Sequence, residues 1–133
     1  MIADTNVLLR VLEGDPGSHG KAARARVATA RETGEAMTVL AATVLEAAFV
    51  LESAAGGGYG WERDAITRAI EAVVEEPAFH VEHGAALRAA AATYRTRAID
   101  LHDCLVDAVA RQSATRVLSF DRDLRRLGTG ERP

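Results

Sequence analysis

Residues 1–9 read MIADTNVLL, an apolar start that runs into Asp4, Thr5 and Asn6 before a second apolar run. This pattern predicts a short buried strand over residues 2–4, a tight turn, and a helix over residues 7–12. Asp4 then follows the carboxyl end of a strand, where open α/β sheets place their ligand sites. Capping of the following helix is the alternative role for Asp4, and Asn6 could fill that role equally well.

Short predicted strands alternate with helices along the rest of the chain. Strands are predicted over residues 37–40, 79–82 and 116–120, and helices over residues 21–33, 43–53, 61–76, 84–96 and 101–113, with a helical turn over 121–127. Residues 14–17 and 55–60 are predicted loops, and the tail from Gly128 is expected to fray. The alternation predicts an α/β fold, a short parallel sheet flanked by helices, in a single domain over residues 1–133.

Composition is that of an ordinary globular chain. Of 133 residues, 48% are hydrophobic and 26% charged, and the net charge of −3 argues against nonspecific coating of nucleic acid. Cys104 is the only cysteine, so no intrachain disulfide can form and a reducing compartment is expected. The start resembles no secretory leader, and no apolar run reaches membrane-spanning length. We therefore expect a cytoplasmic protein without membrane contact.

Glu46 is an acid in an otherwise apolar helix. Val44, Leu45, Phe49 and Val50 lie around it, so we expect Glu46 to lose water on folding. An unpaired buried carboxylate costs several kcal/mol or is forced to protonate, so a partner is required. That partner is a cation or, as the alternative, an arginine in a structural ion pair.

Asp103 and Asp107 lie four residues apart and share one helix face, at the edge of an apolar arc. Asp103 falls in the first turn, where the helix dipole favours a carboxylate. A solvated helix face is the alternative for both, and for Asp107 it is the favoured interpretation.

Asp121 ends the second apolar strand segment, residues 117–120, and Asp123 follows two residues later. Helix capping is again the alternative role for Asp121. Because the carboxyl ends of parallel strands share one edge of a sheet, Asp4 and Asp121 are expected to converge there. If each aspartate only capped its own helix, the two residues would not need to lie close together.

Several carboxylates in one site raise one another's pKa unless a cation opposes them. Oxygen-only ligands favour Mg²⁺, with Mn²⁺ as a substitute. Zinc is disfavoured because Cys104 has no partner cysteine and the four histidines show no ligand spacing; His102 is expected at the surface. The chain also shows no Ser/His/Asp or Cys/His arrangement for covalent catalysis.

Four segments carry a family resemblance: residues 2–9, 43–46, 103–108 and 117–124. In order, spacing and total length they resemble the PIN-domain family, and within it the VapC-type toxin ribonucleases of toxin–antitoxin pairs. The likeness covers essentially the whole chain. It implies a three-layer PIN-like α/β domain.

The resemblance also implies a metal centre. Asp4, Glu46 and Asp103 would help bind one metal ion, and Asp121 and Asp123 would extend the acidic site. Thr5 or Asn6 and Ser119 resemble groups that support these carboxylates. The chain departs from the family pattern at Asp107, where a small apolar residue is usual, which leaves open whether Asp107 joins the site.

The chemistry implied is hydrolysis of an RNA phosphodiester by a metal-activated water. The implied partners are an RNA substrate, a cognate antitoxin that directs a basic side chain at the carboxylates, and a second copy in a homodimer. The arginines flanking the motif segments are candidates for RNA contact, with solvated surface charge as the alternative: Arg10, Arg97, Arg122, Arg125 and Arg126.

Two other functions fit parts of the pattern. A phosphatase-like or receiver-like α/β protein also uses an aspartate after its first strand and Mg²⁺, but it needs a lysine late in the chain, and none follows Lys21. A PIN-like binding module without catalysis should lack one of the four principal acids. All four are present.

Overall fold

The computed structural model describes residues 1–55 and 59–133, so part of the predicted 55–60 connection lies outside the described residues. The helices are α1 (Thr5–Leu12), α2 (Ser18–Thr33), α3 (Ala41–Glu52), α4 (Arg63–Glu75), α5 (Gly84–Thr96), α6 (Leu101–Gln112) and α7 (Arg122–Leu127). Every helix predicted from periodicity is present, and α5 matches its predicted bounds. Among the described residues, no helix has the length and apolarity needed to cross a membrane.

The strands are short and pair in parallel. They are β1 (Met37–Val39), β2 (Phe79–Val81), β3 (Val117–Leu118) and β4 (Gly130–Glu131). β1 pairs with β2, with Met37 opposite Phe79, and β3 pairs with β4. The predicted first strand is reduced to a single parallel bridge between Ile2 and Thr38. The α/β class is confirmed, with helices surrounding short parallel strands.

The expectation that Asp4 and Asp121 share one sheet edge is wrong. The bridge at Ile2 extends the β1–β2 sheet, whereas β3 belongs to a separate sheet with β4. The amides of Val117 and Ser119 donate to carbonyls of the chain terminus. A pattern of apolar residues predicts a strand but not its hydrogen-bonding partner.

The predicted burial of the strand over residues 2–4 is partly wrong, and the apolar segment over residues 117–120 is also largely exposed. Ala3 is buried, but Ile2 is 62% exposed, and so are Leu118 and Phe120, at 71% and 75%. Each of these strands has only one bonded neighbour, so one side of the segment faces outward. Period-two patterns report which residues share a face, not how completely that face is covered.

The tail expected to fray is ordered into β4. Gly130 permits this arrangement, because a Cβ at that position would lie 2.5 Å from the carbonyl carbon of Leu124. Thr129 is buried just before the strand. The end of the chain therefore contacts α7 through its backbone, which a side-chain pattern does not reveal.

The core is built largely from alanine. On α5, the buried positions are Ala86, Leu87, Ala90, Ala91 and Tyr94, which recur at helical spacing. Small side chains let α5 contact both α4 and α6 closely. This packing fixes where α6 begins, and α6 carries Asp103.

Candidate metal centre

Three carboxylates come together where α6 and α7 begin. Asp103, Asp121 and Asp123 each offer an oxygen, and these oxygens lie within 4.8 Å of one another. Within residues 1–55 and 59–133, no other group of three potential metal ligands is this close. We call these three residues the acid cluster. Its donors are all oxygens, the ligands that Mg²⁺ and Mn²⁺ prefer.

The α7 side of the acid cluster is organised by backbone hydrogen bonds. Asp121 is the N-cap of α7, and its Oδ1 accepts from the Asp123 amide at 2.7 Å. Ser119 Oγ accepts from the Asp121 amide at 2.9 Å, so the predicted supporting residue does contact this segment. Asp123 Oδ1 also accepts from Arg126 at 3.0 Å. Asp121 therefore caps α7 and also belongs to the acid cluster, where its neighbours are Asp103 and Asp123 and not the expected Asp4.

Asp103 is the least exposed member of the acid cluster, with 18% of its side chain accessible. Burial raises the pKa of its carboxyl, and the charge of Asp121 raises it further, while His102 opposes both. The Nδ1 of His102 lies 3.5 Å from Asp103 Oδ1, and its side chain is 70% exposed. The predicted surface position of His102 is therefore confirmed. A divalent cation would offset the cost of keeping Asp103 ionised beside another acid.

Arg63 anchors the segment that leads into α6, and no motif in the sequence singles it out. Its Nη1 donates to the carbonyls of Tyr94, Arg97 and Ile99 at 2.9, 3.0 and 2.8 Å. Its guanidinium also lies 4.1 Å from the centre of the Tyr94 ring. Because α6 begins two residues after Ile99, these bonds hold the helix start that carries Asp103. An arginine in the first turn of an amphipathic helix has no distinguishing sequence signal.

Asp4 and Glu46 lie outside the acid cluster. Asp4 is the exposed N-cap of α1, and its Oδ1 accepts from the Val7 amide at 3.1 Å. Thr5 Oγ1 donates to Glu46 Oε2 at 2.7 Å, so the residue after Asp4 holds Glu46. We call Asp4 and Glu46 the amino-terminal acid pair, and the hydrogen bond from Thr5 to Glu46 the threonine link.

The expectation that Glu46 is desolvated is wrong. Glu46 is exposed, as are Ala42 and Phe49 on the same side of α3. The core is formed by the opposite side, which includes Val44, Ala48 and Leu51. Phe49 is apolar yet 72% exposed. A helix that is apolar all round does not by itself reveal which side faces the core.

Asp107 is buried and structural, not on a solvated helix face. Only 5% of the residue is exposed, its Oδ2 accepts from Arg111 at 2.9 Å, and its Oδ1 accepts from the Thr129 hydroxyl at 2.5 Å. Arg111 also donates to the Leu127 carbonyl. These bonds join α6 to the segment between α7 and β4. Both carboxylate oxygens of Asp107 thus have protein partners, and Asp107 is not part of the acid cluster.

The arginines proposed for RNA contact fall into two groups. Arg10 donates to Asp15 at 2.8 Å, and Arg126 donates to Asp123. Arg97, Arg122 and Arg125 are exposed. The latter two lie on α7, which begins at the acid cluster.

Cys104 is not a candidate nucleophile. The residue is 1% exposed, and burial raises the pKa of its thiol to about 11. A reactive cysteine needs an accessible thiolate.

Fold and site together define an α/β protein with a cluster of oxygen donors suited to a divalent cation. The family model for the PIN domain matches residues 1–130, so this chain belongs to the PIN-domain family. The three-layer α/β fold and the resemblance stated from the motifs are thereby confirmed. The "VapC ribonuclease" of Aquifex aeolicus (strain VF5) is 29% identical over 128 residues, covering 96% of this chain and 91% of that relative. No solved structure matches the chain.

Proposed function

We propose that this protein is a Mg²⁺-dependent endoribonuclease that acts as the toxin of a toxin–antitoxin pair. The observation that carries the proposal is the convergence of Asp103, Asp121 and Asp123 within 4.8 Å in a chain of the PIN-domain family. The relative named as a VapC ribonuclease supports the same activity. Asp4 and Glu46 complete the proposed set of metal-binding and catalytic acids, with Asp123 as a metal ligand only.

The donor set fits a hard divalent cation. All five side chains offer carboxylate oxygens, and Mg²⁺ is commonly held by a few carboxylates with waters in its other positions. When bound, the ion polarises a phosphate and lowers the pKa of a water. Asp103, the least exposed of these acids, would be among the residues that hold the ion, and Mn²⁺ could substitute for Mg²⁺.

The proposed reaction is hydrolysis of a phosphodiester in single-stranded RNA. A water oxygen forms a bond to phosphorus, the bond from phosphorus to the leaving ribose oxygen breaks, and that oxygen takes up a proton. The exposed guanidinium groups of Arg122 and Arg125 supply phosphate donors on the helix that begins at the acid cluster. Net charge of −3 makes such local cations necessary for holding a polyanion.

The proposed partners are a cognate antitoxin and a second copy of the chain. An antitoxin segment with an arginine or lysine would satisfy the carboxylates of the acid cluster and so block RNA. This part of the proposal rests on the family, and a search for a small reading frame beside the gene, followed by co-expression of its product, tests it. Co-purification of a small partner that suppresses cleavage is the expected result. The proposed place of action is the cytoplasm.

The activity is tested with purified protein, free of any partner, on labelled single-stranded RNA. We expect cleavage with Mg²⁺ or Mn²⁺, loss with chelator, and loss in Asp103→Asn and Asp4→Asn. The matched control is Asp64→Asn, since Asp64 is an exposed first-turn acid of α4 paired with Arg95 and remote from the proposed set in sequence. Unchanged cleavage in both site variants contradicts the proposed site. Undetectable Mn²⁺ binding by calorimetry would favour a binding module instead.

A further inference from the structure

A concave site lies between α3 and the beginning of α6, the helix that carries Asp103 of the acid cluster. It is a pocket of about 250 Å³, and we call it the α3–α6 pocket. Leu45, Ala48 and Leu101 supply its aliphatic lining, and Phe49 adds an aromatic ring. Its polar lining comes from Glu52, Asp100 and His102.

The α3–α6 pocket and the acid cluster meet at His102, which lines the pocket and precedes Asp103 in α6. The Nδ1 of His102 lies 3.5 Å from the Asp103 carboxylate. On the other wall, Phe49 lies one helical turn after Glu46, on the same exposed side of α3. A substrate group in the α3–α6 pocket would therefore lie next to a phosphate held at the acid cluster.

Two side chains that line the α3–α6 pocket are not used to pack the core or to cap α6. Phe49 exposes 72% of its surface, so its ring contributes little to the core. Asp100 is the N-cap residue of α6 by position, yet its side chain makes no capping hydrogen bond. An exposed aromatic ring and an unused carboxylate are the groups that bind a nucleobase, by stacking and by accepting hydrogen bonds.

The charge of the α3–α6 pocket determines which part of a nucleic acid can bind there. Asp100 and Glu52 are both acids, and within residues 1–55 and 59–133 an ion pair is formed by Glu52, with Arg63 at 4.0 Å, but not by Asp100. A phosphate would be repelled by this lining, whereas a neutral base would not. Ionised carboxylates only accept hydrogen bonds, so the complementary base edge is one made of donors.

We propose that the α3–α6 pocket binds a guanine base of the RNA substrate, adjacent to the phosphate that is cleaved. Guanine presents its N1–H and its 2-amino group side by side, and these two donors match the two oxygens of one carboxylate. Adenine and cytosine place an acceptor beside their amino group, and uracil flanks its single N–H with two carbonyls. Asp100 accepts from guanine, and Phe49 stacks on its ring. This inference rests on the proposed ribonuclease function and names its base specificity.

The test compares cleavage of short single-stranded RNAs that differ at one position, carrying guanine, inosine or adenine. Inosine lacks the 2-amino group and so removes one of the two proposed donors. We expect wild-type protein to prefer guanine, and Asp100→Asn to reduce its kcat/KM preference over adenine by about tenfold. Phe49→Ala is expected to raise KM more than it lowers kcat, and Phe49→Trp to restore KM by keeping a stacking surface. Asp64→Asn again serves as the control for removing a surface charge.

The outcomes separate this inference from the proposed function. If Asp103→Asn abolishes cleavage but Asp100→Asn and Glu52→Gln leave base preference unchanged, the pocket assignment is wrong and the ribonuclease assignment stands. If wild-type protein cleaves none of these RNAs with either metal, both fail. Sedimentation of wild-type protein and of Phe49→Ala tests whether Phe49 lies in a dimer interface. If the substitution converts a dimer to a monomer and leaves base preference unaltered, a second copy covers Phe49. That result would overturn the proposal.

Discussion

The acid cluster and the amino-terminal acid pair are built in different ways. Asp103, Asp121 and Asp123 converge within 4.8 Å, and the Asp103 side chain is mostly buried. Asp4 and Glu46 are exposed, and each accepts from a neutral donor, the Val7 amide for Asp4 and the Thr5 hydroxyl for Glu46. Asp121 and Asp123 also accept protein hydrogen bonds, but the first group places three carboxylates close together and raises the pKa of Asp103, whereas the second consists of exposed acids held by neutral donors.

This difference indicates which acids need a cation. Crowded carboxylates destabilise one another until a counter-ion arrives, so the acid cluster should supply most of the metal affinity. The amino-terminal pair is already hydrogen-bonded and should contribute more to orientation than to affinity. The variants below test that division of roles, beginning with the largest expected effect.

Asp103→Asn should weaken Mn²⁺ binding by about 100-fold or more, because it removes the least exposed charge of the acid cluster. Asp4→Asn should weaken binding by about tenfold, since Asp4 lies outside that cluster. Calorimetric titration with Mn²⁺ measures both constants. Equal losses in the two variants would remove the distinction between the two groups.

Thr5→Val should lower kcat by about tenfold, because Glu46 loses the hydroxyl that holds it at 2.7 Å. Thr5→Ser retains a hydroxyl and should keep most of the activity. Steady-state kinetics on one RNA substrate gives the comparison. Full activity in the valine variant would show that the threonine link does not position Glu46.

Asp107→Asn should destabilise the protein by about 2 kcal/mol, because a buried carboxylate loses its charge-assisted bond to Arg111. Thr129→Val, which removes the other hydrogen bond to Asp107, should cost about 1 kcal/mol. Urea unfolding measures both. Reduced Mn²⁺ affinity with unchanged stability in Asp107→Asn would instead assign this acid to the metal centre.

The smallest effect is expected at Glu76, which belongs to neither acid group. Its carboxylate accepts from Arg31 at 3.0 and 2.7 Å, and this bonding lowers the pKa of Glu76 below its ordinary 4.5. A lowered folded-state pKa stabilises the fold above the ordinary value, and that contribution is lost as pH falls through the folded pKa.

Glu76→Gln should therefore lower Tm by about 2–4 °C near neutral pH, and the difference from wild type should shrink as the solution is acidified. Thermal unfolding followed by circular dichroism across that range is the measurement. A difference that grows on acidification would contradict the assigned sign. The Mn²⁺ affinity of Glu76→Gln should equal that of wild type. This value is the baseline against which the affinities of the Asp103 and Asp4 variants are compared.

Local patterns predicted the helices well. Periodicity gave the bounds of α5, Gly84–Thr96, and came within a few residues for each of the others. Helix formation depends on neighbours three and four residues away, so a sequence window contains the necessary information. The pairing of the strands was less predictable. β3 pairs with β4, and β4 lies in the tail that the sequence predicts to fray.

The motifs selected the candidate acids but not their arrangement in space. Motif order identified five acids, and three of them converge in the structure. The expected burial was reversed at two positions: Glu46 is exposed, and Asp107 is buried. Burial depends on which elements cover a helix, and for Asp107 the covering residue is Thr129, 22 positions further along.

The sequence alone thus determined the class of fold, the family and the acidic residue types from which a metal centre can be made. These properties are carried by local periodicity and by motif order along the chain. Only the tertiary structure decided that Asp103, Asp121 and Asp123 converge, that Glu46 is held by Thr5, and that an exposed phenylalanine lies beside an unused carboxylate. Each of these depends on contacts between distant segments, and their partners are set by the packing of the whole chain.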